Sequence, residues 1–355
     1  MGVDLTLIVP PRWGSQALET RHSDHYKIRV LPCILTPYPH FHFYPVGIGP
    51  IDADVVYLEE EPWSLVTHQF VSRCVRENVP VIFTTWQTIY KTYPPPFSYF
   101  ERYTFAHSSA AIAGNQEAKD ILRKRGFSKQ IVINSYGLYP DFFCRRDVSR
   151  LKHQLELDGS FVIGYVGRVI PSKGIADLIH ALAQLPKQCR LLIVGDGDFR
   201  EEGERLADRL GVKSRIRWIS QIPSLEVPDY MSVMDALILP SRTTPRWKEQ
   251  FGRVLIEAMA CETPVIGSSS GEIPRVIGDA GLIFPEGEVS ALAHQIVRLV
   301  QSSALTAELR KRGRARVLEN FTQKKMAERV WTLCRSVVEN RENLITKKRT
   351  SLVAS

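Results

Sequence analysis

The sequence predicts an α/β fold built from two doubly wound parallel-sheet domains. Three observations lead there. At 355 residues the chain is long enough for two cores. Short apolar runs alternate with helix-period segments in both halves. The alternation also restarts sharply at Phe161-Val-Ile-Gly-Tyr-Val166, after a polar stretch from Arg145 to Gly159.

In the first half, strands are predicted at residues 5–10, at Lys27–Leu31, at Asp54–Leu58, at Pro80–Thr84, at Ala110–Ala113 and at Ile131–Asn134. Helices are predicted from Trp63 to about Asn78 and from Gln116 to about Arg125. The second half reads more clearly. Strands are expected at 161–166, 190–194, 216–219, 236–239 and 265–266, with helices at 174–185 and about 201–210. Beyond Glu288 the pattern is helical: Val289–Val300, Leu305–Asn320 and Gln323–Val338. The expected domains are therefore 1–145 and 161–322, joined by a linker at 146–160. A helix at 323–338 and a disordered basic tail at 339–355 complete the division.

Composition narrows the function classes. Hydrophobic residues make up 44% and charged residues 24%, as in ordinary soluble proteins. No apolar stretch reaches the ~18 residues of a membrane span, and no signal peptide is evident. The six cysteines are scattered without zinc spacing or a disulfide framework, which points to a reducing cytoplasm. The net charge of +8 is concentrated at the C-terminus, where residues 310–355 carry thirteen Lys and Arg against four Asp and Glu. A basic body of the kind that binds nucleic acid is thereby excluded. The basic segment reads either as a solvated helix face or as a surface for anionic lipid or an acidic acceptor, with peripheral contact at the inner membrane surface.

The densest chemistry lies between Pro240 and Pro264, PSRTTPRWKEQFGRVLIEAMACETP. A buried strand ends at Pro240, a polar loop follows, and a helix starts beside Phe251-Gly252. Such a helix start presents unpartnered N–H groups and the positive end of the dipole, a ready site for an anion. Glu249 in the loop and Glu257 in the helix bracket it. They cannot share one face as a metal pair would, yet each can meet hydroxyl groups. The layout suits a polyhydroxylated, phosphate-bearing ligand, and no metal-ligand spacing accompanies it.

Glu249-x7-Glu257, with Gln250-Phe251-Gly252 inside it and set in LPS…EQFGRVLIEAMACETPVIGSSSGEIP, resembles the signature of glycosyltransferase family 4, the retaining GT-B enzymes that use nucleotide-sugar donors. The resemblance covers about residues 3–335 and is densest from 161 to 290. It implies a GT-B fold of two Rossmann-like domains with a cleft between them. The C-terminal domain would hold the donor and the N-terminal domain would face the acceptor. It implies that Gly167-Arg168 and Lys173-Gly174, directly after the strand 161–166, contact the diphosphate. Arg168 and Lys173 would then stabilise charge on the departing phosphate without a metal or other cofactor. Glu257 would accept from the ribose hydroxyls, while Glu249 and the backbone at Gln250, Phe251 and Gly252 hold the transferred sugar. The segments at Gly195-Asp196-Gly197 and Gly271-Glu272 fit the pattern less sharply and also read as tight turns. On the acceptor side, Gln87 stands where family members often carry a histidine, and Glu61-Pro62 resembles a family Glu-Pro. Glu59, Glu60 and Glu61 read either as an acceptor contact or as a solvated acidic turn. His40 and His42 lie close together without acidic or cysteine partners in sequence. The family's first strand and its glycine-rich loop have no counterpart here, through truncation or through divergence. The implied function is transfer of a hexose-type sugar from a nucleotide diphosphate sugar to a hydroxyl acceptor on a glycan, a lipid-linked species or a small molecule. A nucleotide-sugar-binding protein with little or no catalysis is the alternative that Gln87 and the unmatched start support.

Overall fold

The computed structural model describes residues 2–17, 25–36, 38 and 40–353. The chain divides into two compact units, one of residues 1–134 together with 329–355 and the other of residues 135–328. The boundary thus falls earlier than the linker expected at 146–160, and that linker contains a helix of its own.

In the first unit, β1 (Thr6–Val9) pairs in parallel with β4 (Lys27–Val30), while β2 (Arg12–Trp13) and β3 (Gln16–Ala17) form a short antiparallel ribbon between them. A separate four-stranded parallel sheet runs in the order β5 (Val56–Leu58), β6 (Val81–Thr85), β7 (Ala110–Ala113), β8 (Gln130–Ile133). Helices α1 (Leu65–Arg76), α2 (Phe97–His107) and α3 (Gln116–Lys124) connect these strands. Ser64 starts α1 by accepting from the Thr67 amide, and Asn115 starts α3 by accepting from the Ala118 amide. β6 and β7 are apolar on both faces because both faces are covered. Val81, Phe83, Ala111 and Ala113 pack with α1 and α3, whereas Ile82, Ala110 and Ile112 pack beneath Leu333 and Val337 of the C-terminal helix.

That C-terminal helix spans Gln323–Val353, so residues 339–353 are helical where the composition suggested a disordered tail. No Gly or Pro interrupts the segment, and pairs such as Arg335–Glu339 at 3.1 Å support it at i,i+4 spacing. Leu333 is buried against the sheet. Leu333→Ala should therefore cost about 2–5 kcal/mol of first-unit stability in urea unfolding. A loss below about 1 kcal/mol would remove the helix from this core.

The second unit opens with α4 (Ser149–Gln154) and carries a six-stranded parallel sheet. Its strands are β9 (Phe161–Val166), β10 (Cys189–Val194), β11 (Ile216–Ile219), β12 (Ala236–Leu239), β13 (Val265–Ser268) and β14 (Leu282–Phe284), in the spatial order β11-β10-β9-β12-β13-β14. Between and after them lie α5 (Ile175–Gln184), α6 (Arg200–Arg209), α7 (Val227–Val233), α8 (Arg253–Ala260), α9 (Ile273–Ile277), α10 (Val289–Gln301) and α11 (Ser303–Asn320). The chain builds outward from β9 to β11, returns to β12 beside β9, then builds the other way. Ligands of open α/β sheets bind outside the carboxyl ends of the strands at such a reversal. β9 and β12 pair through Ile163–Ala236 and Gly164–Leu237, below the point where both chains leave the sheet.

Candidate functional site

Two loops leave the sheet at this reversal. The first follows β9 and runs Gly167-Arg168-Val169-Ile170, then through a 3-10 turn at Pro171–Lys173 into Gly174. The second follows β12 and runs from Ser241 to Gly252, where α8 begins. They are tied directly together. Lys173 Nζ donates to Glu249 Oε2 at 2.6 Å, and Ser241 Oγ donates to the same oxygen at 2.8 Å. Both members of the ion pair are largely enclosed, with side-chain exposures of 14% and 9%. Lys173 Nζ also lies 4.7 Å from the centre of the Trp247 ring, an aromatic neighbour that sequence reading does not single out. The Arg242 amide donates to the Ser172 carbonyl at 2.8 Å, and its guanidinium pairs with buried Asp177 at the start of α5.

Arg168 is exposed, and its carbonyl accepts from the buried Tyr165 hydroxyl at 2.6 Å. Burial and the nearby Glu249 carboxylate hold the Tyr165 hydroxyl in its protonated form. Tyr165 therefore stands between the Arg168 loop and Glu249. Gly167 lies beside the same hydroxyl.

The two glycine segments that also read as tight turns stitch the loops to one another. A Cβ at Gly195 would lie 1.9 Å from the Gly167 carbonyl oxygen, and one at Gly271 would lie 2.1 Å from the Glu249 carbonyl oxygen. The Glu272 amide donates to that Glu249 carbonyl at 3.1 Å, and the Val169 amide donates to the Asp196 carbonyl at 2.9 Å. These segments are more than tight turns. They fix the backbones of the Gly167 and Glu249 loops.

Gly252 has a left-handed backbone, φ +78°, and a Cβ there would press on Leu239 at 2.7 Å. Internal packing demands glycine at this position, in addition to the backbone approach expected from the sequence. Phe251 is buried edge-on between Tyr136 and Phe321, so only its backbone faces the loop chemistry, and Gln250 is exposed. Glu257 sits in α8, where burial raises its pKa and Arg253 opposes the rise across 2.8 Å. Of the expected donor residues, Lys173 and Glu249 are in contact, and Gly167 and Arg168 join them through Tyr165. Glu257 pairs with Arg253 one turn back on its own helix.

In the first unit, Glu61 and Gln87 both bond to Thr85 Oγ1 at the carboxyl ends of β5 and β6. The Glu61 carboxylate accepts from Thr85 Oγ1 at 2.6 Å and from the Trp86 amide at 2.9 Å. Desolvation pushes its pKa up to about 7. Glu61 is thus not part of a solvated turn, and both of its oxygens are engaged by the protein. Gln87 is buried; its amide donates to Thr85 Oγ1 at 3.2 Å and its Nε2 to the Ile89 carbonyl at 2.9 Å. His42 has the acidic partner that its sequence neighbourhood lacks, with Nε2 lying 3.2 Å from Glu60 Oε1. Among the described residues no group of three or more His, Cys, Asp and Glu is arranged to hold a metal ion. None of their helices is long and apolar enough to cross a membrane.

The fold is that of the GT-B glycosyltransferases, two α/β Rossmann-like units with parallel sheets flanked by helices. The crystal structure of Anabaena Alr3699/HepE in complex with UDP superposes with a TM-score of 0.74 at 21% identity, covering 88% of this chain and 87% of that one. Residues 147–316 match the family model for "Glycosyl transferases group 1". The N-acetyl-alpha-D-glucosaminyl L-malate synthase of Bacillus anthracis is 28% identical over 206 residues, 57% of this chain and 52% of that protein. The 2-deoxystreptamine glucosyltransferase of Streptomyces kanamyceticus is 27% identical over 292 residues, 77% and 74% of the two chains. The chain spans about half the length of most of the curated relatives it matches. These matches are to glycosyltransferases, and each covers only part of this chain.

Proposed function

We propose that the protein is a retaining glycosyltransferase that moves a hexose-type sugar from a nucleotide diphosphate sugar to a hydroxyl acceptor. The observation that carries this reading is the Lys173–Glu249 pair, which bridges the carboxyl ends of β9 and β12 where the strand order reverses. In this reading the lysine meets the diphosphate and the carboxylate meets the sugar hydroxyls, with Arg168 on the same loop as a second cation. Arg168 and Lys173 stabilise the charge that builds on the leaving phosphate, the part of binding that lowers the barrier. Glu257 offers two acceptor oxygens to a ribose diol. Gly167 and the backbone of Gln250, Phe251 and Gly252 approach the donor, while Gln87 lies on the acceptor side. The reading places the protein in the cytoplasm, its basic C-terminal segment available to an anionic membrane surface. No metal enters the proposed mechanism.

Titration calorimetry with UDP and GDP, followed by transfer assays with UDP-glucose, UDP-N-acetylglucosamine and GDP-mannose, tests the proposal. The expected product keeps the anomeric configuration of the donor, as read by NMR. Inversion would remove the retaining assignment, and binding without turnover would make the chain a nucleotide-sugar-binding protein. Glu257→Ala should weaken nucleoside diphosphate binding about 10- to 100-fold through loss of charged hydrogen bonds, with the fold intact. An unchanged Kd would clear Glu257 of that role.

A further inference from the structure

Glu61 is fixed from two sides. Its backbone carbonyl accepts from the Ser64 amide at 3.1 Å and from Thr67 Oγ1 at 2.9 Å, in the first turn of α1. Its carboxylate meanwhile holds Thr85 and Trp86 at the exit of β6. The Trp86 indole lies flat on Gly114, where a Cβ would come within 2.2 Å of the ring. The exit loop is therefore clamped by the carboxylate on one side and by the indole contact on the other. Gln87 comes next, with its Nε2 committed to the Ile89 carbonyl. That leaves its carboxamide oxygen as the group able to accept from an incoming hydroxyl.

We propose that Glu61 is a positioning residue for glycosyl transfer, holding the Thr85–Gln87 exit loop so that the Gln87 carboxamide oxygen meets the acceptor hydroxyl. The inference rests on the transferase reading above. It gives Glu61 a role that does not require contact with substrate, since both of its oxygens are already taken.

Titration follows from the same geometry. The ionised carboxylate accepts both hydrogen bonds, whereas a proton on the Thr85 side makes that oxygen a donor, so the Thr85 hydroxyl must accept and turn its own hydrogen elsewhere. Ionisation is opposed chiefly by burial and further by Glu60 and by Glu101 of α2, while Thr85 and the Trp86 amide favour it. Tyr93 also faces the carboxylate, and Arg125 pairs with Glu101. With a pKa near 7, the clamp loosens as pH falls through neutrality. Stability runs the opposite way: a raised carboxylate pKa favours the folded state below the ordinary carboxylate range and loses that advantage as pH rises through about 7. Position and stability thus respond to pH with opposite signs, and a purely structural role would not separate them.

The test compares wild type with Glu61→Gln, Glu61→Ala and Thr85→Val, using UDP-glucose or GDP-mannose with p-nitrophenyl glycosides as acceptors. Glu61→Ala and Thr85→Val should raise the acceptor KM about tenfold with the donor KM unchanged within about twofold. In Glu61→Ala, hydrogen exchange of the Trp86 amide should quicken about tenfold or more. Wild type should show an acceptor KM that rises below about pH 7, and Glu61→Gln should lose that dependence without losing stability at pH 8. Donor and acceptor KM rising together, an unchanged Trp86 amide, or a pH dependence kept by Glu61→Gln would overturn the proposal. A wild-type chain that binds UDP yet transfers nothing would sink the transferase reading and this inference with it. Normal wild-type turnover with unaltered variants would sink this inference alone.

Discussion

Replacing Lys173 by alanine is expected to lower turnover about 100- to 1,000-fold and to destabilise the second unit at the same time. The two effects come from one ion pair. Glu249 is buried, and its bonded oxygen is held by Lys173 and Ser241. Removing one member of an enclosed pair leaves the other charge without compensation, at about 3–5 kcal/mol. The Ser241 hydroxyl remains, so about 2–4 kcal/mol is expected in urea unfolding. Loss of the cation above the Trp247 ring adds about 0.5–1 kcal/mol at most. The informative variant is the double one. Lys173→Ala with Glu249→Gln removes the stranded charge, so it should regain part of the stability lost in Lys173→Ala. It should regain none of the turnover if the lysine meets the leaving phosphate. Recovery of both would make the pair a structural device and remove Lys173 from the chemistry.

How far this site can be read without coordinates depends on the range of each interaction. The strands of the second unit are legible because strands buried on both faces become uninterrupted apolar runs, as at 191–194 and Ala236–Leu239. Helix α2 is not, since it starts after three prolines and spreads six aromatic and histidine residues over eleven positions without a polar face. The C-terminal helix reads short because its later turns carry charge rather than an apolar stripe, while its backbone needs only good helix formers. Glu249, Lys173 and Arg168 stand out from local motifs, yet the contact between Lys173 and Glu249 spans 76 positions and no periodicity reports it. Trp247 and Ser241 escape notice for the same reason. Glu61 reads either as an acceptor contact or as a turn carboxylate because Thr85 and Trp86, its partners, lie 24 and 25 residues downstream. Glycines show in the sequence as punctuation, whereas their reason is steric and belongs to the neighbouring loop.

That reason yields the second large effect. Gly195→Ala is expected to destabilise the second unit by about 3–5 kcal/mol, summing overpacking against an immovable neighbour and backbone strain. The new Cβ would fall 1.9 Å from the Gly167 carbonyl oxygen, with φ at +138°. Neither partner can retreat cheaply. The Gly167 amide donates to the Val194 carbonyl at 3.0 Å, and the Gly195 amide donates to the Ile219 carbonyl at 2.9 Å, so relief would break the β9–β10–β11 ladder. Gly211 is the matched control, with φ at +66° and nothing within 4 Å of the place an added methyl group would take. Gly211→Ala should cost only about 1 kcal/mol, the strain without the collision. Displacing Gly167 also shifts Arg168, so Gly195→Ala should weaken UDP binding even where the unit stays folded, and Gly211→Ala should not. Equal unfolding midpoints for the two variants would show that the β9 and β10 loops yield independently, and the coupling of Gly195 to the Arg168 loop would go with them.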